Sequence, residues 1–124
     1  MAPSILLIDA DANFRRALRV ALSLEGVAVG EAATLEEAHC AMQQRRWDCA
    51  VVDLLLPCGE GPRVVELVRS RGAPGLIACS AHVELLAPLE GRAILLEKPF
   101  SPASLLACAA RFLHAGSRGR VEPN

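Results

Sequence analysis

Short apolar runs alternate with amphipathic segments along this chain, and the alternation predicts a fold of strands and helices. The apolar runs suit strands that are buried on both faces. They lie at residues 4–9, 27–31, 49–53, 75–80 and 92–97. The segments between them place apolar residues every three or four positions, as Phe14, Leu18 and Leu22 do, which is the period of a helix packed on one side. The same period places Arg15 on the opposite face of that helix, towards solvent. This order of elements indicates a parallel sheet with helices on both of its faces.

Capping residues support the predicted helices. Thr34 begins a capping box for the second helix, which we expect to end at about Arg46. Ser101 followed by Pro102 is a typical start for the last helix. The segment between the fourth and fifth strands is short and contains Pro88, which interrupts helices. We therefore expect the fourth helix to be truncated.

Five strands joined by right-handed crossovers leave few topologies. The commonest small one is the flavodoxin-like (βα)5 three-layer sandwich, an α/β fold with a five-stranded parallel sheet in the order 2-1-3-4-5. We expect this fold with a shortened helix 4. The chain has 124 residues, enough for one domain. We expect a single domain over residues 1–124, with its core at about 4–113 and a flexible tail at 114–124.

Composition narrows the classes of function. Thirteen Lys and Arg against fourteen Asp and Glu give a net charge of −1, which argues against a nucleic-acid or membrane-surface partner. No apolar run approaches the roughly 18 residues of a membrane span, and the start of the chain lacks the basic region of a signal peptide. Five cysteines without a CxxC spacing suit reduced thiols. We expect a cytoplasmic protein.

Two residue types are scarce, and their positions indicate a functional site. The chain has twelve Arg but one Lys, Lys98, and ten Glu but only four Asp. Asp9 closes strand 1, Asp53 closes strand 3, Ser80 closes strand 4, and Lys98 follows strand 5. Any one of them has a simple structural explanation, such as a helix cap. Together they place two carboxylates, a hydroxyl and an ammonium at one sheet edge, which suits Mg²⁺ and a phosphoryl group.

Three motifs give this chain a resemblance to a known family. Residues 53–61, DLLLPCGEG, are similar to the strand-3 motif of CheY-like receiver domains of two-component response regulators, with an Asp, a Pro four residues on and a Gly eight residues on. Residues 80–81 resemble the family's Ser/Thr-Ala pair, and residues 97–100 resemble its Lys-Pro-Phe motif. The resemblance covers about Ser4–Leu113. It implies a cis peptide bond before Pro99.

The resemblance also implies a role for each residue of the predicted site. Asp53 would be the nucleophile that accepts a phosphoryl group from a histidine kinase, a phosphotransfer protein or a small acyl phosphate. Asp9 would help to hold Mg²⁺. Ser80 would donate a hydrogen bond to one phosphoryl oxygen, and Lys98 would form an ion pair with another.

The predicted metal site departs from the family's pattern. Receiver domains usually have two adjacent acidic residues at the end of strand 1, and Ala10 stands at the second position. The expected ligands are Asp9, Asp53 and the backbone carbonyl of Leu55. Asp11 is the nearby replacement for the missing acid, or else the N-cap of the first helix. Because Mg²⁺ demands near-octahedral coordination, we expect the loss at Ala10 to weaken its binding.

Two further departures concern the output of the signal. Leu95 stands where the family usually has an aromatic switch residue, and the segment from Ser80 to Lys98 is a few residues shorter than usual. Helix 4, strand 5 and helix 5 form the family's usual output face. We therefore expect a different signalling surface here.

Three functions stay open at this point. The first is a stand-alone receiver, phosphorylated on Asp53 with Mg²⁺, which signals to an unknown downstream protein because no output domain fits after residue 114. The second is a pseudo-receiver that binds its partner without phosphorylation. The third is a haloacid-dehalogenase-like phosphatase with Asp9 as nucleophile, suggested by residues 6–13 (LLIDADAN), although that family also needs a late acidic pair. In the first two cases the protein is a signalling domain and not an enzyme.

Overall fold

Five parallel strands form a single sheet in the computed structural model, which describes the backbone of residues 2–121 and the side chains of residues 2–113. The strands are β1 (Ser4–Ile8), β2 (Ala28–Ala32), β3 (Cys49–Asp53), β4 (Gly75–Ser80) and β5 (Ile94–Glu97). The helices are α1 (Ala12–Leu24), α2 (Leu35–Gln44), α3 (Glu60–Arg71), α4 (Val83–Leu86) and α5 (Pro102–Val121). The sheet order β2-β1-β3-β4-β5 confirms the predicted flavodoxin-like fold.

Each face of the sheet has its own apolar core. On one face, Leu22 of α1 and Leu105 of α5 pack in a cluster with Ile5 of β1, and all three are fully buried. On the other face, Val64 of α3 packs in a cluster with Leu6 of β1. Successive residues of a strand point to opposite faces, so a strand covered on both sides must be apolar throughout. This is why the central strands appear in the sequence as continuous apolar runs.

The fourth helix is truncated, as predicted. Helix α4 covers only Val83–Leu86 and passes directly into a 3₁₀ turn over Ala87–Leu89, which contains Pro88. A proline inside this turn removes one backbone donor and prevents a regular α-helix from continuing. Leu86 is the one buried residue of α4 and anchors it to the core.

Two helix ends differ from the predictions. Helix α2 stops at Gln44 and not near Arg46, and the indole N–H of Trp47 folds back to donate to the Ala41 carbonyl at 3.0 Å. Helix α5 continues to Val121, although a tail was expected from residue 114. The next proline after the helix start is Pro123, so no residue before it forbids helical hydrogen bonds. Residues 122–124 of the expected tail lie outside the described residues.

Over residues 2–121, no helix combines the length and the apolar character that crossing a bilayer requires.

Candidate functional site

Parallel pairing brings the four predicted site residues to one edge of the sheet. β1 and β3 are neighbours, and Asp9 and Asp53 stand at their carboxyl ends. Ser80 ends β4, and its carbonyl accepts a hydrogen bond of 2.9 Å from the backbone N–H of Lys98, which follows β5. The site therefore lies where strand order reverses between β1 and β3, a usual place for ligands in open α/β sheets.

The ammonium group of Lys98 lies between the two carboxylates. Its Nζ is 2.8 Å from Asp9 Oδ2 and 3.5 Å from Asp53 Oδ2. Asp9 and Asp53 are only 4% and 7% exposed, so both ion pairs are shielded from water. Two buried carboxylates at close range repel each other unless a cation neutralises them. Lys98 supplies one positive charge against two negative ones, which leaves an excess of negative charge.

Burial and the neighbouring charges act on Lys98 in opposite directions. Burial by itself lowers the pKa of the ammonium, but the hydrogen bond to Asp9 and the charges of Asp9 and Asp53 outweigh it. The pKa of Lys98 therefore lies above its ordinary value, and the side chain is a cation at neutral pH. In the neighbouring strand, burial and then the charge of Asp53 raise the pKa of the Cys79 thiol to about 12. Cys79 is thus neutral beside the site.

Backbone N–H groups fix the orientation of both carboxylates. Asp9 Oδ1 accepts a hydrogen bond of 2.9 Å from the N–H of Asp11, and Asp53 Oδ1 accepts one of 3.0 Å from the N–H of Leu55. The hydroxyl of Ser80 is fully buried and accepts a hydrogen bond of 3.0 Å from the N–H of His82. Since Ser80 acts only as acceptor in that bond, its own proton is available to a ligand oxygen.

Asp11 acts as the N-cap of α1. Its Oδ1 accepts hydrogen bonds of 3.0 and 3.1 Å from the N–H groups of Asn13 and Phe14. Among the residues that the structure describes, there is no group of three or more His, Cys, Asp or Glu side chains that could hold a metal ion. The structure therefore does not gather Asp11 with Asp9 and Asp53 into the three-carboxylate set that the sequence allowed.

The chemistry of the remaining donors still fits Mg²⁺. This ion keeps several waters and is commonly bound through one or two carboxylates together with substrate phosphate oxygens. Asp9 and Asp53 supply two hard carboxylates at the same edge, and their negative charge exceeds that of the one ammonium between them. Ala10 is exposed and has no side-chain donor to add.

Sequence reasoning missed the contact of Phe14 with the site. The period of α1 predicted only a core position, but the Lys98 Nζ lies 4.4 Å from the centroid of the Phe14 ring. Phe14 also meets Phe100 edge to face, with 5.3 Å between the ring centroids. A cation over an aromatic face is attracted to it, so Phe14 helps to hold the ammonium in place. The contact could have been predicted from the position of Phe14 in the first helical turn after Asp9, because side chains in a helix point towards its N-terminus.

Arg15 was also missed, because the helical period placed it on the solvent side. Its Nη1 donates to the backbone carbonyl of Asp9 at 2.6 Å, and its Nε donates to Glu31 Oε1 at 2.9 Å. Arg19 adds a second guanidinium contact to Glu31 at 3.1 Å. Arg15 therefore ties the end of β1, and with it Asp9, to the end of β2.

Gly61 lets the start of α3 approach the loop that follows Asp53. A Cβ atom at Gly61 would meet the Leu54 carbonyl group, at 2.6 Å from its carbon and 2.8 Å from the Leu54 Cα. These are backbone atoms, which cannot swing away as a side chain can. The glycine eight residues after Asp53 is thus a packing requirement of this loop.

Two further motif positions lie close to the site, at Pro99 and at Leu95. The peptide bond between Lys98 and Pro99 is cis, as the resemblance implied. Leu95 is half-buried and packs against the apolar cluster on the α2–α3 face. An aliphatic side chain thus occupies the position where an aromatic switch residue was expected from the family.

Comparison with known proteins yields one family and a consistent set of relatives. The family model described as "Response regulator receiver domain" matches residues 5–110. The transcriptional regulatory protein ResD of Bacillus subtilis is 29% identical over 118 residues, which cover 92% of this chain and 49% of that protein. The KDP operon transcriptional regulatory protein KdpE of Escherichia coli is 33% identical over 108 residues, 84% of this chain and 48% of that protein. The chain thus spans about half the length of these curated relatives.

Solved structures share the fold at lower identity. A CheY-like response regulator receiver domain from Methanospirillum hungatei gives a TM-score of 0.82 at 22% identity and covers 96% of this chain and 99% of that one. The chemotaxis protein CheY4 of Vibrio cholerae gives 0.79 at 24% identity and covers 91% and 100%. A response regulator from Burkholderia pseudomallei, solved with a phosphorylated aspartic acid, calcium and citrate, gives 0.78 at 20% identity and covers 98% and 75%.

Proposed function

Because the chain belongs to the receiver domain family of two-component response regulators, we propose that Asp53 is its phosphoacceptor and that phosphorylation switches a protein contact. The observation that carries this proposal is the pair of buried carboxylates of Asp9 and Asp53 with the ammonium of Lys98 between them, and buried Ser80 at the adjacent strand end. Receiver domains are signalling modules, and the Burkholderia pseudomallei relative with a phosphorylated aspartic acid supports the same chemistry here.

In the proposed reaction, a carboxylate oxygen of Asp53 attacks the phosphorus atom of the donor. The donor is a phosphohistidine of a sensor kinase or phosphotransfer protein, or a small acyl phosphate. A P–O bond to Asp53 forms while the P–N or P–O bond to the donor breaks, and the donor keeps the electron pair. The ammonium of Lys98 then pairs with one phosphoryl oxygen, and the hydroxyl of Ser80 donates to another. These two groups stabilise the charge of about −1.5 to −2 on a phosphoryl group.

Receiver domains generally bind Mg²⁺ at this site, and we propose that this chain does so with reduced affinity. Asp9, Asp53 and the backbone carbonyl of Leu55 would hold the ion, which when bound neutralises charge between the carboxylates and the phosphoryl oxygens. Ala10 supplies no ligand. The carboxylate of Asp11 would remain the N-cap of α1 and would not bind the ion directly.

The partners belong to the proposal as well. We propose a sensor histidine kinase or phosphotransfer protein upstream and an unidentified protein downstream. The curated relatives are named as transcriptional regulators and extend beyond the matched half. The haloacid-dehalogenase-like alternative is not retained. In that family the second residue of an Asp-x-Asp pair is the acid or base, and the residue at that position here, Asp11, caps α1.

The test is the intact mass of the protein after incubation with acetyl phosphate, with and without Mg²⁺. We expect an alkali-labile gain of about 80 Da in the wild type with Mg²⁺, the increment of one phosphoryl group, and none in Asp53→Asn. Asp48→Asn is the matched control. The Asp48 carboxylate accepts a hydrogen bond from the N–H of Ser4 at the opposite edge of the sheet, so this substitution should leave the adduct unchanged.

Absence of the adduct from the wild type at saturating Mg²⁺, and after incubation with phosphorylated kinase domains, would refute the proposal. The pseudo-receiver would then be the better interpretation, and Ala10→Asp would show whether the missing acid is the cause. An adduct that survives in Asp53→Asn but disappears in Asp9→Asn would instead make Asp9 the nucleophile.

A further inference from the structure

An apolar groove of about 270 Å³ lies between α3 and α4, on the side of the sheet edge that carries the site. Its floor and walls come from the loop after Asp53, from α3, from α4 and from the turn that follows α4. The side chains that matter are Leu54, Val65, Leu85, Leu89, Glu66 and Glu84. The groove is smaller than the roughly 300–1,000 Å³ of pockets that enclose a cofactor. It is large enough to accept one or two apolar side chains of a larger partner.

The truncated fourth helix leaves this groove open. α4 has only four residues before Pro88 turns the chain, so one helical turn forms that wall. Five large apolar side chains are exposed among the described residues. Of these, Leu85 lines the groove, and Leu55 and Val83 are each next in sequence to a residue that lines it. An apolar surface concentrated in this way marks a protein contact, whereas scattered exposed residues do not.

The charge around the groove favours a partner of opposite charge. Glu66 and Glu84 are both exposed at its rim, and its lining contains no Arg or Lys. An apolar strip flanked by carboxylates is complementary to an amphipathic helix that carries Lys or Arg beside its apolar side chains. An acidic partner or a nucleic acid would be repelled by the same rim.

We propose that the α3–α4 groove binds the apolar face of a basic amphipathic helix of a partner protein. Leu54 directly follows Asp53, and α4 begins three residues after Ser80, so the groove adjoins both loops of the proposed phosphoryl site. A link between phosphorylation and binding rests on the function proposed above. Binding to the groove itself does not require it and can be measured on the unmodified protein.

The test uses three synthetic peptides of about 16 residues, long enough to form helices. The first places Leu at helical spacing with Lys on its flanks, the second replaces Lys by Glu, and the third keeps the composition of the first but breaks the Leu spacing. Fluorescence anisotropy gives the affinity of each for the full chain, and NMR shift mapping gives the site. We expect the first peptide to bind at least about tenfold more tightly than the others, with shifts in α3 and α4.

Surface variants test the groove without touching the core. Glu66→Lys combined with Glu84→Lys should weaken the Lys peptide about tenfold and favour the Glu peptide, and Leu85→Asp should weaken both. Val20→Asp and Glu25→Lys are matched controls on exposed positions of the α1 region and should change neither affinity.

Three results would overturn the proposal. The first is equal binding of the Lys and Glu peptides, and the second is a set of shifts outside α3 and α4. The third is a dimer in sedimentation velocity that Leu85→Asp dissociates, which would assign the groove to a second copy of this chain. None of these results depends on phosphorylation. The groove proposal can therefore be refuted while the proposed function stands, and the proposed function can be refuted while the groove proposal stands.

Discussion

Replacing Gly61 by Ala should destabilise the protein, although the same change usually stabilises a helix. Gly61 lies in the first turn of α3, and alanine is favoured over glycine in a helix by about 1 kcal/mol. Against this gain stands the new Cβ, which would lie 2.6 Å from the Leu54 carbonyl carbon. Carbon atoms in contact prefer separations of about 3.5–4.0 Å. Either α3 or the loop after Asp53 must therefore move by about 1 Å to accept the methyl group.

The size of the effect follows from these two opposing contributions. Forcing a methyl group into a well-packed place costs about 1–3 kcal/mol, and more where backbone must move. The propensity gain is small in a first helical turn, so the free energy of unfolding should fall by about 1–2 kcal/mol. For a domain of this size, that loss lowers the thermal midpoint by roughly 4–8 °C.

The assay is urea denaturation followed by the fluorescence of Trp47, the one tryptophan of the chain, which is buried. Gly59→Asn is the matched control. Gly59 has a φ of +66°, a left-handed backbone that asparagine tolerates, and a Cβ atom there would meet no other atom within 4 Å. The effect of this control should stay within about 0.5 kcal/mol. A Gly61→Ala variant at least as stable as the wild type would refute the packing argument.

Three further predictions concern single side chains. In the native protein at pH 8, iodoacetamide should label the exposed Cys58 and spare Cys79, which is buried and has a pKa raised to about 12; equal labelling rates in peptide mass maps would contradict this. The pKa of Glu31 is lowered, because hydrogen bonds from Arg15 and Arg19 outweigh the effect of burial, which raises it. Glu31→Gln should therefore cost stability above pH 4.5, the ordinary value, and the difference from wild type in denaturation midpoint should vanish as the pH falls through the lower pKa of the folded state. Asp11→Ala should cost about 1 kcal/mol through loss of the α1 cap, and Asp11→Ser should restore it; an Asp11→Ser variant as unstable as Asp11→Ala in urea denaturation would argue against the cap.

The strand positions and the site edge could be predicted because both depend on patterns along single elements, and the strand order followed from the few topologies that right-handed crossovers allow. Continuous apolar runs identify strands that are buried on both faces, and the scarce residues Asp53 and Lys98 stand directly at strand ends. The contacts of Phe14 and Arg15 could not be predicted in the same way. The helical period predicts whether a residue faces the core or solvent, but it does not predict which neighbouring element a side chain in the first turn contacts. The extension of α5 to Val121 was missed because the glycines after residue 114 indicate a frayed end, although glycine only weakens a helix.

The shortness of α4 has a consequence for local stability. A helix gains stability as successive turns add hydrogen bonds. The single turn Val83–Leu86 forms few of them, so they offset little of the conformational entropy lost on forming the turn. Its hold on the sheet comes mainly from one buried side chain, Leu86. Local opening of this segment therefore costs far less than global unfolding, and its amide hydrogens should exchange among the first in the molecule. A small free energy of ligand binding then suffices to shift the population of its conformations.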